Sequence, residues 1–96
     1  MTRLRSKPPR LRLRLYVAGQ APNSVCAIAN CRAICAEHFA SRHELEIVDL
    51  LDHPQRAAAD GILVTPTLVK LLPLPVQRVI GSLTDTNRVL LALSSR

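Results

Sequence analysis

No tryptophan occurs in this sequence, and Tyr16 and Phe39 are its only aromatic residues. A core drawn from 96 residues must then be built from Leu, Val, Ile and Ala. The same scarcity removes the stacking platforms on which single-stranded nucleic acids are read. Glycine is scarce too: Gly19, Gly61 and Gly81 lie far apart, so no glycine-rich loop exists to cradle phosphates. No run approaches the roughly 18–20 apolar residues that cross a bilayer, and the first residues are charged rather than apolar, unlike a secretion signal. The expected address is cytoplasmic. Cys26, Cys31 and Cys35 are an odd number of cysteines within ten residues, a poor disulfide framework that suits a reducing compartment.

Positive charge is plentiful, with a formal net charge of +6, but it is unevenly spread. Arg3, Arg5, Lys7, Arg10, Arg12 and Arg14 supply six of the thirteen basic residues within 1–14, which hold no acid, while 15–96 balances seven basic against seven acidic residues. Residues 1–10, with Pro8-Pro9 and little apolar content, read as a flexible basic arm ahead of a single domain over 11–96. Such an arm allows a salt-sensitive, non-specific contact with phosphates, which leaves a nucleic-acid accessory role as one alternative.

Apolar and polar residues alternate from Leu11 to Val17, the period of a strand with one buried face. Turn chemistry follows at Ala18-Gly19-Gln20-Ala21-Pro22, and Asn23 or Ser24 can cap a helix beginning near residue 24. Within 24–40 the three- and four-residue spacing of Val25, Ile28, Cys31, Cys35 and Phe39 predicts the core face of that helix. A second alternating strand is read at Glu44–Asp49, and a short helix from about Pro54 to Asp60, with proline tolerated in its first turn. Leu68–Leu72 and Val76–Ile80, punctuated by Pro73 and Pro75, predict a hairpin. Thr84-Asp85 can cap a last helix through Leu93, with Val89, Leu90 and Leu93 facing inward. The resulting α/β order, β-α-β-α-β-β-α with Pro66 just before the third strand, is that of the thioredoxin fold.

In a thioredoxin-type enzyme the working thiols sit where strand one meets helix one, because a helix N-terminus stabilises a thiolate. Here that junction reads Gly19-Gln-Ala-Pro-Asn-Ser24, and neither cysteine of a C-x-x-C pair is present. Cys31 and Cys35 share the apolar stripe and read as small hydrophobes. Cys26, on the face of Asn30, Ala33 and Glu37 in the first turn, is the one thiol suited to reactivity, so a thiol-dependent redox protein is the other alternative. His38, His43 and His53 read as solvent-facing histidines, since no C-x-x-C or H-x-x-x-H pair supports a zinc site. No catalytic residue, metal or cofactor is expected.

Four segments in one order carry a family resemblance: Leu15-Tyr-Val-Ala-Gly-Gln-Ala-Pro-Asn-Ser-Val25, Ile47-Val-Asp-Leu-Leu-Asp-His-Pro-Gln55, Gly61-Ile-Leu-Val-Thr-Pro-Thr-Leu-Val-Lys70 and Pro73-Leu-Pro-Val-Gln-Arg-Val-Ile-Gly-Ser-Leu83. Over roughly 11–93 the chain resembles the KaiB family of circadian-clock proteins, itself similar to the N-terminal sensory domain of the clock kinase SasA. The resemblance implies a non-catalytic partner of a KaiC-type ATPase, with a KaiA-like protein or a histidine kinase as further partners. It places partner-binding residues at Glu44, Leu45, Glu46 and Val48 of the second strand, at Gln55, Arg56 and Asp60 of the second helix, and at Lys70. It also implies metamorphism. The second half can rearrange to give a tetrameric β-α-β-β-α-α-β ground state, and Pro66, Pro73, Pro75, Ala92 and Ser94 are the fold-switch positions.

Two departures from the family favour the thioredoxin-like, monomeric state. Ala92 stands where glycine is usual, worth up to about 1 kcal/mol in a helix, and Ser94 replaces an acid that would oppose the helix dipole. The Thr65-Pro66 bond is expected in cis. Glu46 stands where clock members carry lysine, and Cys26 replaces a basic residue, both on surfaces the family uses for partners; such charge changes act on partner choice.

Overall fold

The structure, a computed structural model, describes residues 11–94; the basic-arm reading of residues 1–10 lies outside it. Strand β1 (Leu11–Val17) is followed by helix α1 (Pro22–His38), β2 (His43–Asp49), α2 (Pro54–Asp60), β3 (Thr67–Leu72), β4 (Gln77–Ile80) and α3 (Thr86–Ser94). This is the order read from the sequence. The sheet runs β2-β1-β3-β4, with β1 parallel to β2 and antiparallel to β3, so β2 and β4 are its edges.

Strand alternation sorts the side chains onto two faces. Leu11, Leu13, Leu15 and Val17 of β1, with Leu68 and Val79, pack against Ala27, Cys31, Ile34 and Cys35 of α1 and Val89 and Leu93 of α3. The opposite face holds a smaller cluster of Tyr16, Val48 and Val69, closed by Ala57 of α2 and by Ile62. At the end of α2, Gly61 adopts φ +68°. There the Gly61 N–H donates to the Ala58 carbonyl and the Ile62 N–H to the Ala57 carbonyl, which brings Ile62 back under the helix.

Helix α1 departs from the sequence reading in two respects. It begins at Pro22 with Ala21 as N-cap and no side-chain cap, because proline already suits the first helical position. Its buried residues are Ser24, Ala27, Cys31, Ile34 and Cys35, while Val25 is 46% exposed. Ile28 and Phe39 pack only at the margin of the core. The buried positions 24, 27, 31, 34 and 35 recur at spacings of three and four and form one stripe facing the sheet, from which Val25 is turned away. The α3 expectation holds: Asp85 Oδ1 accepts the Arg88 N–H at 3.1 Å, Val89 and Leu93 are buried, and Leu90 packs partly buried against the same core. Thr65–Pro66 is cis as expected, and Leu72–Pro73 and Leu74–Pro75 are cis as well.

Candidate functional site

The junction between β1 and α1, where a thioredoxin keeps its thiols, is closed on itself. The Ala18 N–H donates to Ser24 Oγ at 3.0 Å, and the Gly19 N–H donates to Asp49 Oδ1 at 3.0 Å. The same Asp49 oxygen accepts the Leu51 N–H at 2.9 Å, tying the ends of β1 and β2 together. Gly19 has φ +52°, and a Cβ there would stand 2.7 Å from Leu51 Cδ1. Cys26 is exposed but is the fifth residue of α1, beyond the free N–H groups of the helix start; Cys31 and Cys35 are buried, so no thiol partner reaches it. The Cys31 thiol hydrogen-bonds to Cys35, and this bond together with burial pushes its pKa up. Among the described residues no three His, Cys, Asp or Glu side chains converge as a metal site.

Most of the candidate partner-binding residues converge at the β2 edge and its neighbour α2. Glu44 and Glu46 are exposed on the α2 side of the sheet, opposite Arg12 and Arg14 of β1 in register. Arg12 Nε lies 2.9 Å from Glu44 Oε1 in an ion pair, and Arg14 Nε donates to Glu46 Oε1 at 2.8 Å. Arg56 of α2 grips Glu46 with both terminal nitrogens, at 2.8 and 3.1 Å, while Arg14 Nη1 reaches Asp60 Oδ2 at 3.1 Å. Arg78 of β4 donates to the Asp60 and Gly61 carbonyls at 2.7 and 3.1 Å, holding the C-terminal end of α2. The two guanidinium groups on Glu46, Arg56 first and Arg14 second, lower its carboxyl pKa to about 2. Gln55 is exposed beside them, and Leu45 is half-buried on the opposite face of the strand.

Two candidates are corrected. Val48 is 1% exposed because it lies under α2 with Tyr16 and Val69. Lys70 is 0% exposed because β3 is an inner strand and its register sets Lys70 between Leu13 and Gln77, on the face covered by α1 and α3. Burial pushes the Lys70 ammonium pKa down. Neither side chain can meet a partner on the surface of this state. Of the fold-switch candidates, Pro66 is buried, Pro73, Pro75 and Ser94 are exposed, and Ala92 is half-buried. Sequence reasoning missed Arg12, Arg14 and Arg78. The first two were legible in the match between Arg12-Leu-Arg-Leu15 and Glu44-Leu-Glu-Ile47, whose charges meet when the strands pair in register.

This architecture is a thioredoxin-like α/β domain with no thiol pair at the usual junction, which hydrogen bonds fill instead. Mitochondrial thioredoxin 3 of Saccharomyces cerevisiae matches its fold with TM-score 0.71 at 10% identity, over 88% of this chain and 77% of that one. The N-terminal domain of Synechococcus elongatus SasA is more similar, with TM-score 0.74 and 27% identity over 100% of this chain and 94% of that domain. The chain belongs to the KaiB family, whose domain model matches residues 14–95. It is 49% identical over 84 residues to the circadian clock protein KaiB3 of Synechocystis sp., covering 88% of this chain and 82% of the relative. It is also 49% identical to the circadian clock oscillator protein KaiB of Synechococcus elongatus, over 84% of this chain and 79% of that protein.

Proposed function

We propose that this chain is a non-catalytic docking module that binds a KaiC-type ATPase and regulates circadian-type or related signalling. The observation that carries the reading is the attachment of α2 to β2 through Glu46. Arg14 and Arg56 converge on this one carboxylate, so an open sheet edge and the flank of a helix form one continuous face. An open edge offers main-chain hydrogen bonds to an added strand, and the side chains of β2 and α2 select it. The closed junction at Gly19 to Ser24 supports a scaffold kept for its surface.

The acting form in this proposal is a thioredoxin-like monomer. The pairs Arg14–Asp60 and Glu46–Arg56 join the first half of the chain to the second. Any rearrangement beyond residue 50 that moved α2 would have to break both, which supports a bias toward this state over a tetrameric alternative. The test is co-purification of a KaiC-type ATPase with the tagged protein and with Glu46→Lys. Retention by the first and loss by the second is expected. Equal retention by both would refute the role given to this face.

A further inference from the structure

The register of β1 against β2 specifies what kind of strand β2 accepts. On its inner side β2 is paired with Arg12-Leu-Arg-Leu15, so that Arg12 stands opposite Glu44 and Arg14 opposite Glu46, while Leu13 and Leu15 stand beside Leu45 and Ile47. Both carboxylates thus meet a guanidinium from the neighbouring strand, and both aliphatic residues of β2 meet an aliphatic neighbour.

The outer side of β2 presents the same four side chains with no strand beside it. The Leu11 N–H donates to the Arg42 carbonyl and the Leu50 N–H to the Val17 carbonyl. Between these anchors the alternation of a parallel ladder turns the backbone groups of Glu44, Glu46 and Val48 toward β1 and those of Leu45 and Ile47 outward. Glu44 and Glu46 remain exposed at 58% and 47% of their side-chain surface. Leu45 and Ile47 are only partly covered by the core they flank.

We infer that the β2 edge is specific for an extended segment of a partner protein in which basic and aliphatic residues alternate, as they do in β1. This rests on the docking reading above and adds the chemistry of the docked strand. Its basic side chains lie over Glu44 and Glu46, its aliphatic side chains extend the layer of Leu45 and Ile47, and its backbone pairs with that of Leu45 and Ile47. A second copy of β2 is rejected by the same geometry. Antiparallel self-pairing about Leu45 sets Glu44 against Glu46 twice, and like charges directly opposite are destabilising.

The test uses the full chain and two capped hexapeptides, one alternating Arg and Val and one alternating Glu and Val, with amide hydrogen exchange read by NMR. The Arg-Val peptide is expected to slow exchange at Leu45 and Ile47, which face outward, and to bind about three- to tenfold more tightly than the Glu-Val peptide. Glu44→Lys, which leaves the Glu46–Arg56 attachment of α2 in place, should shrink or invert that preference, and Glu44→Gln should weaken it. Equal protection by both peptides would overturn the charge specificity while leaving edge docking intact. Protection by neither would overturn edge docking itself.

Discussion

Arg14 Nε donates to Glu46 Oε1 at 2.8 Å across the β1–β2 pair, while Nη1 of the same guanidinium reaches Asp60 Oδ2 of α2 at 3.1 Å. One side chain thereby joins the central strand, the edge strand and the short helix. Helix α2 needs such ties because Ala57 is its one buried residue, too small an apolar contact to fix it firmly.

Glu46→Gln should therefore loosen α2. Its side chain is 47% exposed, so solvent screens much of the interaction, and the expected loss is about 2–5 °C in Tm. The effect depends on pH. With the folded-state pKa held near 2 against an ordinary 4.5, the charged network contributes its full stability above pH 4.5 and loses it as pH falls toward 2. Urea midpoints of the wild type and Glu46→Gln should therefore differ at neutral pH and converge across that window.

At the junction, Ser24 is 1% exposed and its hydroxyl accepts the Ala18 N–H. Ser24→Ala leaves that donor without its acceptor, at a cost of about 1–2 kcal/mol. Denaturant unfolding measures this loss.

Tyr16 predicts the opposite sign. Its ring is fully buried beneath α2, and its hydroxyl has no hydrogen-bond partner among the described residues. Removing an unpaired buried hydroxyl while keeping the ring makes Tyr16→Phe neutral or stabilising, by up to about 1 kcal/mol. A clear fall in stability by the same unfolding measurement would show that the hydroxyl is paired in solution.

The cysteines separate by accessibility. Cys26 is exposed, whereas Cys31 and Cys35 are inside the α1 core face. Maleimide should modify one thiol of the folded protein and all three after denaturation, as mass spectrometry would show. Cys26→Ser should leave ATPase binding unchanged, whereas a thiol-dependent function would be abolished.

The order of elements was legible because each strand alternates and each break carries proline, glycine or a capping residue. Asp85 did cap α3, and the segment after Pro66 did extend. The face of α1 was not legible. Val25 and Ile28 compete in sequence with Ala27 and Ile34 for the core, because two stripes of three- and four-residue spacing run along the helix and the docking of the helix selects the one through 24, 27, 31, 34 and 35. Lys70 was misleading for a related reason: a charged residue read alone implies a surface, but an inner strand covered on that face buries it. Val48 was hidden because α2 covers only the Tyr16–Val48–Val69 end of its face, leaving Glu44 and Glu46 open. The charged network itself was half visible, since its acids and bases alternate along two strands whose pairing brings them together, whereas the reach of Arg78 to the carbonyls of α2 follows from tertiary placement alone.

The most direct test is amide hydrogen exchange of this chain with and without a purified KaiC-type ATPase. Docking at the β2 edge predicts slowed exchange at Leu45 and Ile47 and across α2, with the α1 face unchanged. Protection confined to α1 and α3, or no protection at any residue, would contradict it.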